Sequence, residues 1–243
     1  MVRVTTLGDY AKMQSKDQHW LIPGYVPKPG VILFIAEAKA GKTTLAIQLA
    51  LALGQGGEFL GQRSRKCRVL FCQYDMSEFI LRTVLQHYKA QGINLEGDIF
   101  MPHPAEMHYG MNVLQPDDRA YLVALREASN PDVVILDVLA ELHSADEQNS
   151  IAMKEVVNTL LNVFKGTTLI IIHHNRKPPQ SYGPNGQRPP IDAVSASRGT
   201  SYLPGKADSI WMIDQGHLLI KGRLGPPKNI PLKRLPSGLW AVA

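Results

Sequence analysis

The chain alternates between unbroken runs of apolar residues and longer segments whose apolar residues recur at helical spacing. Runs of this kind predict strands that are buried on both faces of a sheet. We predict such strands at 31–35, 68–73, 133–137 and 168–172. The helical spacing predicts helices at 44–53, 78–90, 117–128 and 151–164. Strands that alternate with helices in this way indicate an α/β fold, with a mostly parallel central sheet flanked by helices.

The two ends of the chain have other patterns. Residues 1–30 are interrupted by Pro and Gly, so we predict a lead-in segment there and a single domain over residues 31–243. Short apolar segments near the C-terminus predict antiparallel strands of a hairpin or meander, at 209–213, 217–221, 230–233 and 239–242.

The strand at 31–35 is followed by a loop that ends in Gly41, Lys42 and Thr43, and then by the first predicted helix. This order forms an anion site, because backbone N–H groups and the helix N-terminus point at the same place. Lys42 would reach the β- and γ-phosphates of a nucleotide, and the Thr43 hydroxyl would bind Mg²⁺. We name residues 36–44 the phosphate loop. Its candidate nucleotide contacts are Ala36, Glu37, Ala38, Lys39, Ala40, Gly41, Lys42, Thr43 and Thr44.

One position of the phosphate loop departs from the usual pattern, which has Gly five residues before Gly41 where this chain has Ala36. The alternative is an ordinary strand-to-helix turn that happens to contain Gly-Lys-Thr. The flanking strand and helix favour a nucleotide site, with ATP and Mg²⁺ as its ligands. Trp20 would pack beside the adenine or close the edge of the core, and we favour the second.

Two carboxylates follow other predicted strands. Asp75 comes shortly after the strand at 68–73, and Asp137 is the last residue of the strand at 133–137. Ligands bind at the carboxyl ends of strands in sheets of this kind. Asp75 could therefore orient or deprotonate the attacking water, or it could only cap the helix that follows, for which Ser77 is also suitable. Asp137 would hold Mg²⁺, directly or through water.

The strand at 168–172 ends in His173 and His174. A polar residue at this place could sense the γ-phosphate and pass its state to the next loop. Two adjacent His also suggest a metal, but neighbouring residues of a strand point to opposite faces, and no other His or Cys spacing indicates zinc.

The next segment, over 177–192, is rich in Pro and Gly and predicts a long loop, and such loops are usually functional or disordered. Arg176, Lys177 and Arg188 make it a candidate for binding a nucleic-acid strand, although a solvated loop explains the same residues. The net charge of +5 is uneven: residues 1–150 carry 14 Lys and Arg against 17 Asp and Glu, and residues 151–243 carry 12 against 4. A basic C-terminal part fits a polyanion partner, or again a solvated surface.

Composition and cysteines narrow the class of protein. With 44% hydrophobic and 19% charged residues the chain is typical of soluble globular proteins. No apolar run is long enough to span a membrane, and the first ten residues lack the apolar core of a signal peptide. Cys67 and Cys72 do not form a Cys-x-x-Cys pair and predict buried thiols, so we expect a cytoplasmic protein without a membrane partner.

Taken in order, these motifs resemble the RecA-like hexameric helicase ATPases, in particular RepA-type plasmid-replication helicases and the ATPase domain of DnaB-type helicases. The resemblance covers the chain from about Trp20 onward. It includes the phosphate loop, Asp137 as the metal-site Asp, and FCQYDMS at 71–77, where Asp75 stands in place of a catalytic Glu. It also includes EQN at 147–149 and HHNRK at 173–177, in which His174 matches the sensor.

Two later stretches extend the resemblance. RGTSYLPGKAD at 198–208 has an Arg, small and hydroxyl residues, and Ala-Asp at the family's spacing, and KGRLGP at 221–226 resembles the family's Lys-x-Arg-x-Gly-Pro finger. The resemblance implies that Lys221 and Arg223 enter the ATP site of a neighbouring subunit, where an Arg stabilises charge on the transferred phosphate. Arg198 joins Arg176, Lys177 and Arg188 as candidate nucleic-acid contacts.

The resemblance therefore implies an ATP-dependent motor on single-stranded DNA in replication. It would work as a homo-oligomeric ring, with a hexamer expected and other replication proteins as possible partners. Its catalytic residues would be Asp75, Lys42, Arg223, Lys221 and His174. Because Ala36 and Asp75 depart from the family pattern, a loader or assembly ATPase with slow hydrolysis stays open, as does a recombinase-like filament former.

Overall fold

The computed structural model describes residues 3–13, 19–107, 109–175, 199 and 201–243. In chain order its strands are β1 (His19–Ile22), β2 (Val26–Lys28), β3 (Gly30–Ala36), β4 (Glu58–Phe59), β5 (Gln62–Arg63), β6 (Val69–Gln73), β7 (Ile99–Phe100), β8 (Val133–Asp137), β9 (Thr168–His174), β10 (Ser209–Asp214), β11 (His217–Gly222), β12 (Lys228–Arg234) and β13 (Trp240–Val242). Its α-helices are α1 (Leu7–Lys12), α2 (Lys42–Gln55), α3 (Glu78–Ala90), α4 (Pro116–Ser129), α5 (Ser150–Val163) and α6 (Tyr202–Lys206), and short 3-10 helices occupy Pro104–Glu106 and Leu139–Leu142.

Most of these strands form one nine-stranded sheet, in the order β13-β12-β11-β10-β3-β9-β8-β6-β7. The strands from β7 to β10 in this order run parallel, and β10 to β13 pair antiparallel. The α/β fold with a mostly parallel sheet and C-terminal antiparallel strands is therefore confirmed. The phosphate-loop strand β3 lies inside the sheet, between β9 and β10.

Helices cover both faces of the parallel part of the sheet. Along β3, Ile32 and Phe34 pack into one core cluster together with α2, while Leu33 and Ile35 pack into the other with α4 and α5. Successive side chains of a strand point to opposite faces, so a strand covered on both sides needs apolar residues at every position. This burial explains the unbroken apolar runs in the sequence.

The helix bounds follow the sequence pattern closely, and α4 and α5 each begin one residue before the predicted start. Helix α2 begins at Lys42 rather than at residue 44, because Gly41 occupies the N-cap position with φ +93°. Ser77 is the N-cap residue of α3, but its side chain makes no capping hydrogen bond. Asn149 does cap α5, since its Oδ1 accepts from the backbone N of Ile151 at 3.0 Å and of Ala152 at 3.2 Å.

The lead-in segment contributes to the core. Strands β1 and β2 form a hairpin in which Ile22 and Val26 are fully buried. Tyr25 beside them meets the buried Trp211 ring edge-on, with the centroids 6.2 Å apart. Trp20 is half-buried and lines a groove of about 360 Å³ beside Ser209, at the amino end of β10. It closes the core edge there, away from the phosphate loop; the division into residues 1–30 and 31–243 stays a prediction.

Two further expectations concern cysteine and membranes. Cys67 and Cys72 are free and buried, as predicted, and burial raises the pKa of each thiol to about 12. Within the described ranges, no helix has both the length and the apolar character that crossing a bilayer requires. The cytoplasmic location stays a prediction.

Candidate nucleotide-binding site

The phosphate loop connects the carboxyl end of β3 to the N-terminus of α2. Gly41 has φ +93°, a conformation that L side chains rarely adopt, and a Cβ at this position would overlap the Arg234 guanidinium. Helix α2 starts at the next residue, so the N–H groups of its first turn have no partner within the helix. The turn therefore has the concave form and the free N–H groups of an anion site.

Ala36, which replaces the usual Gly, is an ordinary residue of strand β3. It is fully buried and does not have a positive φ, so its Cβ strains no backbone. Its carbonyl oxygen accepts from the backbone N of Asn175 at 3.2 Å. The loop forms in this chain without a Gly at position 36.

Lys42 is held inside the turn. The residue is 5% exposed, and its Nζ donates to the carbonyl oxygens of Glu37 at 3.1 Å and of Ala36 at 3.5 Å. Burial lowers the pKa of Lys42, against the opposing influence of the carboxylates of Asp137 and Asp75. A cation that is desolvated among carbonyl groups is well placed to bind a phosphate.

Thr43 and Asp137 meet at the end of β8. The Thr43 hydroxyl donates to Asp137 Oδ2 at 2.7 Å, and Asp137 is fully buried. Burial raises the pKa of Asp137 to about 6; the Thr43 hydrogen bond and Lys42 lower it, and the nearby Asp75 raises it further. The structure therefore pairs the two residues that the sequence predicted as metal ligands.

The pair fits Mg²⁺. Asp137 Oδ1 is buried and has no hydrogen-bond partner among the described residues, so one carboxylate oxygen is left for a cation or its water. In the same part of the chain, no group of three or more His, Cys, Asp and Glu is placed to hold a metal ion. Mg²⁺ here would take most of its ligands from phosphates and water, as is common for this ion.

Asp75 lies on a turn that two neighbouring elements fix in place. The backbone N of Tyr74 donates to the Asp137 carbonyl oxygen at 2.7 Å, which joins the ends of β6 and β8. With its amide oriented to satisfy both neighbours, the buried Gln73 accepts from the backbone N of Met76 at 2.6 Å and of Asp75 at 3.1 Å. The Asp75 side chain is exposed and lies close enough to influence both Lys42 and Asp137 electrostatically. The N-cap position of α3 belongs to Ser77 instead.

The end of β9 lies beside the phosphate loop. His173 pairs with Ile35, and His174 with Ala36. His173 is buried and His174 is half-exposed, as expected for neighbours that point to opposite faces. His174 therefore lies next to the first residue of the phosphate loop, and its role as a sensor stays a prediction.

The candidate nucleic-acid contacts, Arg176, Lys177, Arg188 and Arg198, lie outside the described residues. The chain leaves the described part after Asn175, beside the phosphate loop, and Gly199 packs against the backbone of Glu147. A Cβ at position 199 would overlap the Glu147 carbonyl oxygen.

Lys221 and Arg223 lie at the opposite, amino edge. Gly222 pairs with Ser209, which pairs with Ile32 near the start of β3. At about 3.3 Å per residue, the turn is roughly 17 Å from the phosphate loop along the strands. The fold does not bring Lys221 and Arg223 to the phosphate loop of their own chain.

Arg223 is held by the end of α6 and the segment between α6 and β10 but remains largely open to solvent. Its Nη2 donates to the Gly205 carbonyl oxygen at 2.7 Å and its Nε to that of Ala207 at 3.2 Å. The Asp208 carboxylate lies 3.7 Å from Nε, and 62% of the Arg223 side chain is exposed.

Arg234 and Trp240 also meet the phosphate loop, and sequence reasoning missed both. The Arg234 guanidinium stacks over the Trp240 ring at 4.0 Å, and Trp240 Nε1 donates to the Gly41 carbonyl oxygen at 3.4 Å. The two residues pair across β12 and β13. No local pattern could have shown this, because the contact depends on where the end of the chain lies in the sheet.

Comparisons with known proteins identify the family and the fold. The sequence matches the family model described as AAA domain (AAA_25) over residues 3–180. The structure is similar to a KaiC-like protein from the hyperthermophilic archaeon Pyrococcus horikoshii OT3, with a TM-score of 0.55 and 16% identity over 92% of this chain and 93% of that one. At this identity the likeness concerns the fold alone, and comparison with curated protein sequences gives no match. Since the family match spans well over half of the chain, the protein belongs to the AAA domain family, and its fold is that of the RecA-like P-loop ATPases.

Proposed function

We propose that the protein is an ATP-driven motor that works as a homo-oligomeric ring, expected to be a hexamer, on single-stranded DNA in replication. Each ATP would lie between two subunits. One subunit contributes the phosphate loop, Asp75 and Asp137, and the next contributes Lys221 and Arg223. Helicase action of this kind and replication partners are what the sequence resemblance implies.

The observation that carries the proposal is the separation of the two sets of residues. Lys42 and Asp137 meet at the carboxyl edge of the sheet, whereas the exposed Arg223 lies at the amino edge. An Arg side chain is too short to cover roughly 17 Å of strand. If Arg223 acts on ATP, it acts on the ATP of a neighbouring subunit, and a ring supplies such a neighbour at every site.

Within one pocket the residues have separate roles. Lys42 and the N–H groups of the phosphate loop bind the phosphates, and Thr43 with Asp137 would hold Mg²⁺. When bound, Mg²⁺ neutralises charge on the phosphate oxygens. Asp75 orients the attacking water or accepts its proton, and Arg223 of the neighbour stabilises the charge that develops on the transferred group. His174 senses the γ-phosphate.

Two features support a link to a nucleic-acid strand. The segment with Arg176, Lys177, Arg188 and Arg198 follows directly after the sensor position at His174, and residues 151–243 carry a strong excess of positive charge. Phosphate contacts from Lys and Arg make binding of a strand strongly dependent on salt. Hydrolysis of ATP at the phosphate loop would thus change how tightly that segment binds the nucleic-acid strand.

A loader or assembly ATPase with slow hydrolysis is the second candidate. Asp75 is exposed and its side chain is one methylene shorter than the Glu of the helicase family, so it reaches less far toward a water at the γ-phosphate. Such a protein would bind ATP, oligomerise, and hydrolyse slowly without unwinding.

The test measures ATP hydrolysis with and without single-stranded DNA at low salt, strand displacement, and mass by light scattering with a non-hydrolysable ATP analogue. The motor predicts stimulation by DNA, displacement with ATP, and a ring-sized particle. ATP-dependent oligomers without displacement would favour the loader. A strictly monomeric particle under every nucleotide condition, or no DNA binding and no stimulation, would exclude the motor.

A further inference from the structure

The last hairpin of the chain lies across the start of α2. Gln48 of α2 holds the Trp240 backbone from both sides: its Nε2 donates to the Trp240 carbonyl oxygen at 2.7 Å, and its Oε1 accepts from the Trp240 N at 3.0 Å. Gly41, Thr44 and Gln48 thus present one side of the α2 N-terminus to the hairpin. A contact made by both backbone groups and the ring fixes the indole against the phosphate loop.

The Arg234 guanidinium completes this contact. It stacks on the indole at 4.0 Å, donates to the Gly238 carbonyl oxygen, and lies 3.5 Å from the Thr44 hydroxyl. Arg234 is exposed and Trp240 is half-buried, so the pair lies at the surface beside the loop, where the indole also packs against the core. A planar cation and a planar aromatic ring therefore lie beside Thr44, the last residue of the phosphate loop.

The order of strands gives the site a direction. Asp75 and Asp137, which belong with the reacting phosphate, follow β6 and β8 on one side of β3. The hairpin of Arg234 and Trp240 belongs to β12 and β13, on the other side of β3. A triphosphate that points its γ-phosphate toward the carboxylates leads its nucleoside end toward the hairpin.

Among the described residues, the two polar side chains bonded to or stacked on Trp240 already have hydrogen-bond partners within the chain. Gln48 uses both ends of its amide on the Trp240 backbone, and Arg234 uses its Nη1 for Gly238 and Thr44, so its other N–H groups remain for a phosphate. The Arg234 and Trp240 pair therefore offers a base a surface on which to stack. Every base has a π-face, so stacking alone does not distinguish one purine from the other.

We propose that Arg234 and Trp240 form the nucleoside subsite of this ATP site, and that the subsite accepts purine nucleoside triphosphates without separating adenine from guanine. The inference rests on the proposed function, in which residues 36–44 hold a triphosphate. Trp240 binds the base by stacking, and Arg234 binds the ribose and the α-phosphate beside Thr44.

The experiment measures the dissociation constants of MgATP, MgGTP and magnesium tripolyphosphate, the last of which lacks a nucleoside. For the wild type we expect ATP and GTP to bind within about threefold of each other, because only stacking selects. Trp240→Ala should weaken both nucleotides roughly 10-fold and leave tripolyphosphate unchanged, and Trp240→Phe should retain most of the affinity because a ring remains. Trp20→Phe, at the amino edge, is the matched control and should change none of the three.

Fluorescence gives a second readout that does not depend on turnover. The chain has 3 Trp residues, of which Trp211 is fully buried and Trp20 lies at the amino edge. MgATP and MgGTP should therefore quench emission in the wild type and in Trp20→Phe, while Trp240→Phe should lose the response. Tripolyphosphate should not quench the emission of any of the three proteins.

Several outcomes would overturn the subsite. Equal losses for tripolyphosphate and ATP in Trp240→Ala would mean that the hairpin only supports the phosphate loop. Unchanged nucleotide affinity in that variant, or a preference for ATP over GTP of more than about 10-fold, would mean that other groups bind the base. A wild type that binds no tripolyphosphate and no nucleotide would overturn the proposed function as well. Trp240-dependent binding in a protein that DNA does not stimulate would support the subsite and reject the motor.

Discussion

The two edges of the sheet carry cations in opposite settings. At the carboxyl edge Lys42 is 5% exposed, is enclosed by loop carbonyls, and lies near two carboxylates. At the amino edge the Arg223 side chain is 62% exposed, and it donates to the carbonyl oxygens of Gly205 and Ala207 beside the Asp208 carboxylate. At one edge the chain builds a pocket around Lys42, and at the other it presents an exposed cation beside a groove that Trp20 and Ser209 also line.

This difference shows how one sequence can encode both halves of a site that two subunits share. A pocket needs desolvated groups that meet within the fold, so it forms when the strands β3, β6 and β8 assemble. A finger needs the reverse, namely a charge that stays hydrated until a neighbour arrives. If Arg223 is such a finger, it acts on the same ATP as the phosphate loop of a neighbouring subunit.

Arg223→Ala carries the largest expected effect. ATP binding should persist, because the phosphate loop is intact, while kcat should fall about 10³-fold or more, as for loss of other arginine fingers. Kd from equilibrium binding and kcat from steady-state hydrolysis separate the two. Lys233→Ala, an exposed cation on β12, is the control and should hydrolyse ATP normally. Normal turnover by Arg223→Ala would reject the finger.

Mixing two kinds of mutant subunit tests whether Arg223 acts on the ATP of a neighbouring subunit. Lys42→Ala and Arg223→Ala subunits are each inactive alone, but a mixed ring contains some pockets with an intact phosphate loop facing an intact finger. With random 1:1 mixing, roughly one quarter of the interfaces should be competent, so activity should return to about that share. If both residues act within one subunit, mixing restores nothing.

Lys42→Ala should reduce nucleotide affinity and kcat/KM about 10²–10³-fold, because a buried donor to the phosphates is lost from a desolvated site. Binding of a fluorescent ATP analogue and steady-state hydrolysis would measure it. Lys89→Ala, an exposed cation near the end of α3, should behave as the wild type. Equal behaviour of the two variants would mean that the pocket is not where triphosphate binds.

The buried Asp137 predicts a pH dependence in the metal-free protein. Burial raises the pKa of Asp137 to about 6 in the folded state, from the ordinary Asp value of 3.8, so the folded state binds this proton more tightly than the unfolded state does. The unfolding free energy of the wild type, relative to Asp137→Asn, should therefore rise as the pH falls from about 7 to 4, by about 2–3 kcal/mol. Urea unfolding of both proteins across this range measures it, and a flat difference would show that the carboxylate is not desolvated.

Asp208→Ala should have the smallest effect. The Asp208 carboxylate accepts from the backbone N of Val31 at 2.9 Å, so its loss should cost about 1–2 kcal/mol of unfolding free energy. Because Asp208 also lies beside Arg223, kcat should fall while Kd for ATP stays constant. Glu155→Ala on the exposed side of α5 is the control, and equal unfolding midpoints for the two variants would contradict the predicted anchor.

Much of the carboxyl edge could be predicted from local sequence. The apolar run of β3 and Gly41 before Lys42 specify strand, turn and helix within a few residues of chain. Asp75 and Asp137 follow from the rule that ligands bind where parallel strands end. The capping of α3 by Ser77 could not be decided this way, because a residue suited to a cap forms the bond only if its rotamer and the preceding turn allow it.

The sequence by itself determined the α/β pattern, the phosphate loop and the carboxylates beside it, since each depends on residues near one another in the chain. Only the tertiary structure decided that Arg234 and Trp240 cover Gly41, that Asp137 keeps a buried oxygen without a partner among the described residues, and that Arg223 faces away from its own pocket. These contacts join segments far apart in the chain, and the order of strands in the sheet, which no local pattern records, is what brings them together or keeps them apart.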